Sequence, residues 1–315
     1  MFSLPRFVLT ASIAAVTVPT FGADFIKLQN TIDLNMAGAW VNAAVPGVDD
    51  VLVWDATYTT PGAIGSLSPL GGDLSVLGLK VTNVGGNRNV NGIVVGYQDP
   101  GSANTLTIGS AGIDMSTATQ ALRTQSQIVI GADQTWNVPN VNTNTSPSGG
   151  FNNGEDVSFE TQTLDAAFNL GGDTVSVVGN GQVTITSGFT ISNGTLNVEI
   201  PFFVIQGGGN RQTTINSDVT INIASGGVTH FQSNSGPLES AATINLNGGT
   251  LNFSSNNASN GVTQSGNINV LAPSTIAVTK TNTNNGSTGP LNFTGNLVGA
   301  AALTINNSQP TAVTN

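Results

Sequence analysis

Through the last third of the chain, apolar and polar residues alternate in short bursts that return about every 24 residues. Thr195-Leu196-Asn197-Val198, Thr220-Ile221-Asn222-Ile223, Thr243-Ile244-Asn245-Leu246, Asn267-Ile268-Asn269-Val270 and Pro290-Leu291-Asn292-Phe293 share one pattern. Their first apolar residues are spaced by 25, 23, 24 and 23 positions. A period of two within each burst turns the apolar pair to one face and the Thr and Asn positions to the other. A fixed long period across bursts is the mark of coils stacked on copies of themselves. The pattern therefore predicts a parallel sheet with an apolar inner row and a polar outer row.

Two further series keep the same period. Ile191, Ile215, Leu238 and Val262 form one; Phe203, Val228, Leu251 and Ile276 form the other. Between the series fall turn-prone stretches such as Gly207-Gly208-Gly209-Asn210, Gly226-Gly227, Asn247-Gly248-Gly249, Asn256-Asn257 and Asn284-Asn285-Gly286, where Gly and Asn supply positive φ at low cost. The expectation is an all-β, right-handed parallel β-helix with three short strands per coil. With 39 Gly, 13 Pro and many β-branched residues, long helices are disfavoured.

Domain organisation follows from where the pattern is clean. Residues 1–22 carry Arg6, the apolar run Phe7 to Val18, then Pro19 and small residues, which is the layout of a secretory signal peptide cleaved after Gly22 or Ala23. Residues 23–100, which hold Trp40 and Trp54, read as an N-terminal cap with the first irregular coils. Residues 101–315 read as the β-helix proper, starting with Leu106-Thr107-Ile108 and Ile128-Val129-Ile130 and interrupted by a loop at 142–153. The expectation at Asn315 is a truncated helix, continued by a missing C-terminal module or covered by a partner.

Composition narrows the functional classes. Seven basic against 17 acidic residues, a net charge of −10, argue against nucleic acid and anionic membranes as partners. With no Cys, an exported chain must draw its stability from the stack itself. No segment after the leader reaches 18 uninterrupted apolar residues, so no transmembrane helix is expected in the mature chain.

Several segments carry a resemblance. Gly248-Gly249-Thr250-Leu251-Asn252-Phe253 and Asn193-Gly194-Thr195-Leu196-Asn197-Val198 are similar to a glycine-rich Gly-Thr-Leu strand start. Ile128 to Val138, with Gln134-Thr135-Trp136, is similar to an early-coil segment, and Gly38-Ala39-Trp40 with Asp50 and Val53-Trp54-Asp55 to an N-terminal start. On these residues the chain resembles the autotransporter-associated β-strand repeat proteins, exported bacterial passengers built on pectin-lyase-like right-handed β-helices. The resemblance implies an extracellular or surface-displayed scaffold and names no ligand.

Candidate chemistry is sparse. Glycoside hydrolysis needs two carboxylates about 5 to 9.5 Å apart, and beyond residue 173 the acids are Glu199, Asp218 and Glu239. Their spacing does not match the coil, so they are expected on different parts of the perimeter. Asp133 and Asp156 are 23 residues apart, one coil, and with Glu155 they form a candidate calcium site or carboxylate pair, but with no EF-hand or glycine-aspartate repeat to complete six oxygen ligands they read rather as solvated corner acids beside the loop. His230 is the sole histidine and reads as structural; Trp136 reads as a core or capping indole. No catalytic, cofactor or metal site is assigned. The most regular outward feature is the ladder Thr195, Asn197, Thr220, Asn222, Thr243, Asn245, Asn267 and Asn269, which could face an extracellular glycan or surface protein or simply solvate a sheet. The resulting expectation is a non-catalytic, exported structural or adhesive scaffold. The alternatives are a polysaccharide hydrolase or lyase using acids near 142–156, and a passive spacer for a missing module.

Overall fold

The structure, a computed structural model, describes residues 22–60, 67–85, 92–96, 104–141, 155–161, 163–208, 211–234, 236–255, 261–279 and 290–307. The leader-like segment up to residue 21 and the loop at 142–153 lie outside the described residues. Within them the fold is a parallel β-solenoid of about nine turns with about 25 residues per turn. Three ladders of strands run along it. Thr213–Ile215, Val219–Ala224 and Val228–Ser233 represent the first, second and third ladder in one turn. Early on, Leu74–Val81 and Thr105–Asp114 bend round a corner as single strands, pairing in the first ladder with one half and in the second with the other.

The alternation that makes each strand amphipathic appears directly in burial. In Val219–Ala224 every other residue is buried, and Val219, Ile221 and Ile223 belong to a continuous core. Leu196, Ile221, Ile244 and Ile268 stack in register in the second ladder, as the period requires. Aromatic rings extend the core along the axis: Phe159 meets Phe168 at 5.1 Å, Phe168 meets Phe189 at 5.7 Å, and Phe231 meets Phe253 at 5.7 Å, all edge-on. At the start of the solenoid, Asp24–Ile26 pairs with Val51–Trp54, and Phe25, Trp40 and Trp54 form an edge-on cluster with centroids 6.0 and 6.5 Å apart. The Trp40 indole N–H donates to the Leu34 carbonyl at 2.8 Å.

Three register expectations are corrected. Leu291 does not continue the Leu196–Ile268 column: it pairs with Val262 in the first ladder, and Leu297 takes the place over Ile268. Ile215 stacks on Ser240, and Leu238 lies beside Thr213. In the third ladder, Thr229 sits between Phe203 and Leu251, while Val228 pairs with Thr250. The first error is a change of ladder; the other two are shifts within a strand, and for Val228 the shift exchanges the inner for the outer face. Thr229 is buried among apolar rungs, a polar residue that a hydrophobic pattern could not select.

Corners need residues that tolerate close approach of successive rungs. At Gly171, φ is +68° and a Cβ would lie 2.2 Å from the Ile130 carbonyl oxygen, so the position excludes side chains on both counts. The last described turn exposes apolar side chains, with Phe293, Leu297 and Ile305 around a hollow of about 190 Å³ that reaches Ile268 and Ile276. No helix among the described residues is long and apolar enough to cross a membrane.

Candidate functional site

The outward ladder of the second sheet is a hydrogen-bonded chain. The side-chain amide of Asn222 donates to Asn197 Oδ1 at 2.7 Å, that of Asn245 to Asn222 Oδ1 at 2.7 Å, and that of Asn269 to Asn245 Oδ1 at 2.8 Å; Asn197 in turn donates to Ser176 Oγ at 3.2 Å. Parallel pairing puts identical residues opposite one another at the rung spacing, and an amide carries both donor and acceptor, so Asn on Asn is self-complementary. Thr195, Thr220 and Thr243 stack beside it in register. Asn267, next to Ile268, accepts from the Asn296 side chain at 3.2 Å. The Asn of the ladder are half-buried, and Asn267 is exposed. Each of Asn197, Asn222 and Asn245 gives one N–H and one lone pair to its neighbours and keeps one of each for solvent or ligand.

The third side behaves differently. In Phe202–Gly207, Val228–Ser233 and Thr250–Ser255 nearly every residue is buried, on both alternations. Its outer row is polar and cross-linked between rungs. Gln206 donates to Gln232 at 3.1 Å, and Asn252 meets His230 Nδ1 at 2.8 Å while accepting from Thr279 Oγ1 at 3.1 Å. His230 stacks on Phe202 with centroids 6.2 Å apart. Burial holds its imidazole down to about 4, so it is neutral at pH 7. With Nδ1 accepting from the amide, the proton sits on Nε2. The sole histidine is thus packed into a polar network.

Farther toward the N-terminus the same outer row holds a charged cluster that sequence reading missed. Arg123 forms an ion pair with Glu160 through Nη2 and Oε2, and Gln125 donates to that same oxygen at 2.9 Å. Burial raises the Glu160 carboxyl to about 7; Arg123 and Gln125 act against it, and Glu155 adds to it. The signal that could have found it is the pairing of Thr124 with Phe159, which sets Gln125 opposite Glu160. The intervening loop conceals that register.

The Asp133 and Asp156 pair is corrected. Asp133 sits at the corner before Gln134–Val138 in the second ladder, where Oδ1 accepts from the Thr174 backbone at 2.7 Å. Asp156 precedes Val157–Phe159 in the third ladder and accepts from the Gln182 backbone at 2.7 Å. They lie on different ladders, because the loop after residue 141 breaks the coil length. Trp136 is fully buried, its N–H donating to Gln134 at 2.9 Å with Phe159 4.9 Å away.

Asp218 and Glu239 are also corrected, in the opposite sense. Both line one shallow depression of about 410 Å³ at the corner between the first and second ladders, with Asn216, Ser217, Thr263 and Ser265. Glu239 is opposite Thr214, and Asp218 lies four residues further along that turn, so a spacing that misses the coil length still brings them to one corner.

No family model, no curated protein and no solved structure matches this chain. The segments that carry the family resemblance fall on different ladders: Gly194–Val198 lies in the second and begins on a glycine, whereas Thr250–Ser255 lies in the third and follows Gly248-Gly249.

Proposed function

We propose that this chain is an exported structural and adhesive scaffold, displayed at the cell surface or secreted, of the passenger type that the autotransporter-associated repeat resemblance suggests. The observation that supports it best is the use of its chemistry-bearing side chains as ties between rungs. The Asn ladder, the His230–Asn252 pair, Asp133, Asp156 and the Arg123–Glu160 pair each join one turn to another. Such ties make a stiff rod whose stability is a sum over neighbouring turns. The leader-like start, the absence of Cys and the acidic, weakly charged composition fit a chain that is exported unfolded and assembled outside. The half-buried Thr and Asn face then offers free amide and hydroxyl groups at a regular repeat to a glycan or surface protein.

Protease shaving of intact cells with fractionation of the medium tests the location, and a polysaccharide panel scored for both binding and turnover tests the role. Surface or medium localisation with saturable binding and no turnover is the expected result. A purely cytoplasmic protein would overturn the reading, and turnover abolished by Asp156→Ala would replace it with a polysaccharide-cleaving enzyme.

A further inference from the structure

We propose that the open end of the solenoid, residues 291–307, is a self-association surface on which a second copy of this chain docks end to end about a two-fold axis. Leu291–Phe293, Leu297–Gly299 and Leu303–Asn307 are the last described strands of the first, second and third ladder, and among the described residues each is paired on one side only. Their free edges present backbone N–H and C=O groups that another strand can satisfy. Between these edges the inner row is bare: Phe293, Leu297 and Ile305 are 48%, 56% and 70% exposed around the apolar hollow.

The rest of the molecule selects the occupant. At the opposite pole the first strand of the second ladder, Asp24–Ile26, has its outer edge closed by the chain itself: the Leu28 N–H donates to the Ala39 carbonyl at 2.9 Å, the Val41 N–H donates to the Ile26 carbonyl at 3.0 Å, and Lys27 bridges Trp40. Head-to-tail docking would meet that closed edge, whereas the open end of another copy offers edges to match. Charge points the same way. From residue 240 on, the sequence carries one charged side chain, Lys280, while the cap carries Asp24, Asp33, Asp49 and Asp50. Joining the uncharged ends keeps the acidic caps of a chain of net charge −10 at opposite poles. Edge strands of natural sheets are guarded against pairing by Lys, Pro or bulges, and these three strands contain neither a charged residue nor Pro.

Strand lengths fix the arrangement. A two-fold axis perpendicular to the solenoid makes the strands meet antiparallel, and it maps one of the three sides onto itself while exchanging the other two. The third-ladder strand has 5 residues and the other two have 3 each. Lengths match when Leu303–Asn307 lies against its own copy, centred on Ile305, and Leu291–Phe293 lies against Leu297–Gly299 of the second copy. An isologous contact of this kind closes at two chains.

The molecule to test is the purified 315-residue chain, in which eight residues follow Asn307 against about 25 per turn. Its mass is measured by sedimentation across a concentration series and its longest dimension by small-angle scattering. Both are repeated for Leu297→Lys/Ile305→Lys and, on the cap, for Val45→Lys/Val48→Lys; all four positions are exposed, and far-UV circular dichroism checks that each variant is folded. The expected result is a dimer about twice as long as the monomer, weakened at least about tenfold by Leu297→Lys/Ile305→Lys and unaffected by the cap variant. Ile305→Cys should also give a disulfide-linked dimer on oxidation, because the chain has no other Cys and opposed residues of antiparallel strands hold their Cα atoms about 4.5–5.5 Å apart, within disulfide reach. A monomer at every concentration, a dimer no longer than the monomer, or a dimer indifferent to Leu297→Lys/Ile305→Lys would each overturn the proposal. Assembly lost only in the cap variant, or growing into open-ended chains, would overturn it in favour of head-to-tail stacking. If Leu297→Lys/Ile305→Lys fails to fold, the Ile305→Cys cross-link decides, and its absence overturns the pairing.

Discussion

Replacing Asn222 by Ala is the sharpest probe of the amide ladder, because Asn222 is bonded on both sides. The substitution removes its donation to Asn197 and the donation it accepts from Asn245. At about 0.5–1.5 kcal/mol net per hydrogen bond, the loss is about 1–3 kcal/mol, toward the lower end because water reaches half-buried amides. Asn269→Ala removes only the donation to Asn245, so about half that loss is expected. Asn222→Ala and Asn245→Ala share one bond. Their double variant must therefore be less destabilised than the two singles added together, by about one bond or 0.5–1.5 kcal/mol. Guanidinium unfolding followed by far-UV circular dichroism and by Trp fluorescence gives these differences, provided that the two probes coincide. Strict additivity, or an Asn269→Ala variant as unstable as Asn222→Ala, would refute the ladder as a stabilising chain.

The remaining expectations concern core, corner and charge. Ile244→Ala, at a fully buried position between Ile221 and Ile268, should lose about 2–5 kcal/mol in the same unfolding assay, and a loss under about 0.5 kcal/mol would contradict its place in the stack. Gly171→Ala should lower the melting temperature through both its positive φ and the nearby Ile130 carbonyl, whereas an unchanged value would contradict that corner geometry. Glu160 has a folded pKa raised to about 7, so its contribution to stability is complete below about pH 4.5 and is lost as pH rises through 7; Glu160→Gln should flatten the melting temperature across that window. His230 has the opposite sense. Its folded value near 4 means that stability falls as pH drops from about 6.5 toward 4, and His230→Gln should remove that acid-side decline.

The stack was legible in the sequence because a solenoid repeats its local rule. Leu196, Ile221, Ile244 and Ile268 could be aligned by counting, since the laps between them, 25, 23 and 24 residues, differ by no more than two. Counting failed at Leu291, where the lap over Ile268 is longer and Leu297 arrives instead. It also failed at Val228, where a two-glycine corner sets the phase and puts Thr229 inside. The Arg123–Glu160 pair was hidden for the same reason, behind a long loop. Asp218 and Glu239 were misjudged because period-matching finds only vertical neighbours, whereas a corner also joins residues diagonally.

The amide chain on the second side also has a direction. Every donation runs from the later turn to the earlier one, from Asn269 through Asn245 and Asn222 to Asn197 and Ser176, so the side-chain dipoles line up head to tail. Such a wire has unlike ends: it finishes on a hydroxyl at Ser176 and begins at Asn269, where the paired residue in the next turn, Val298, offers no donor. Writing Asn at position 298 would prolong the polarised line by one lap, whereas Asp there would set a charge against its unmet acceptor.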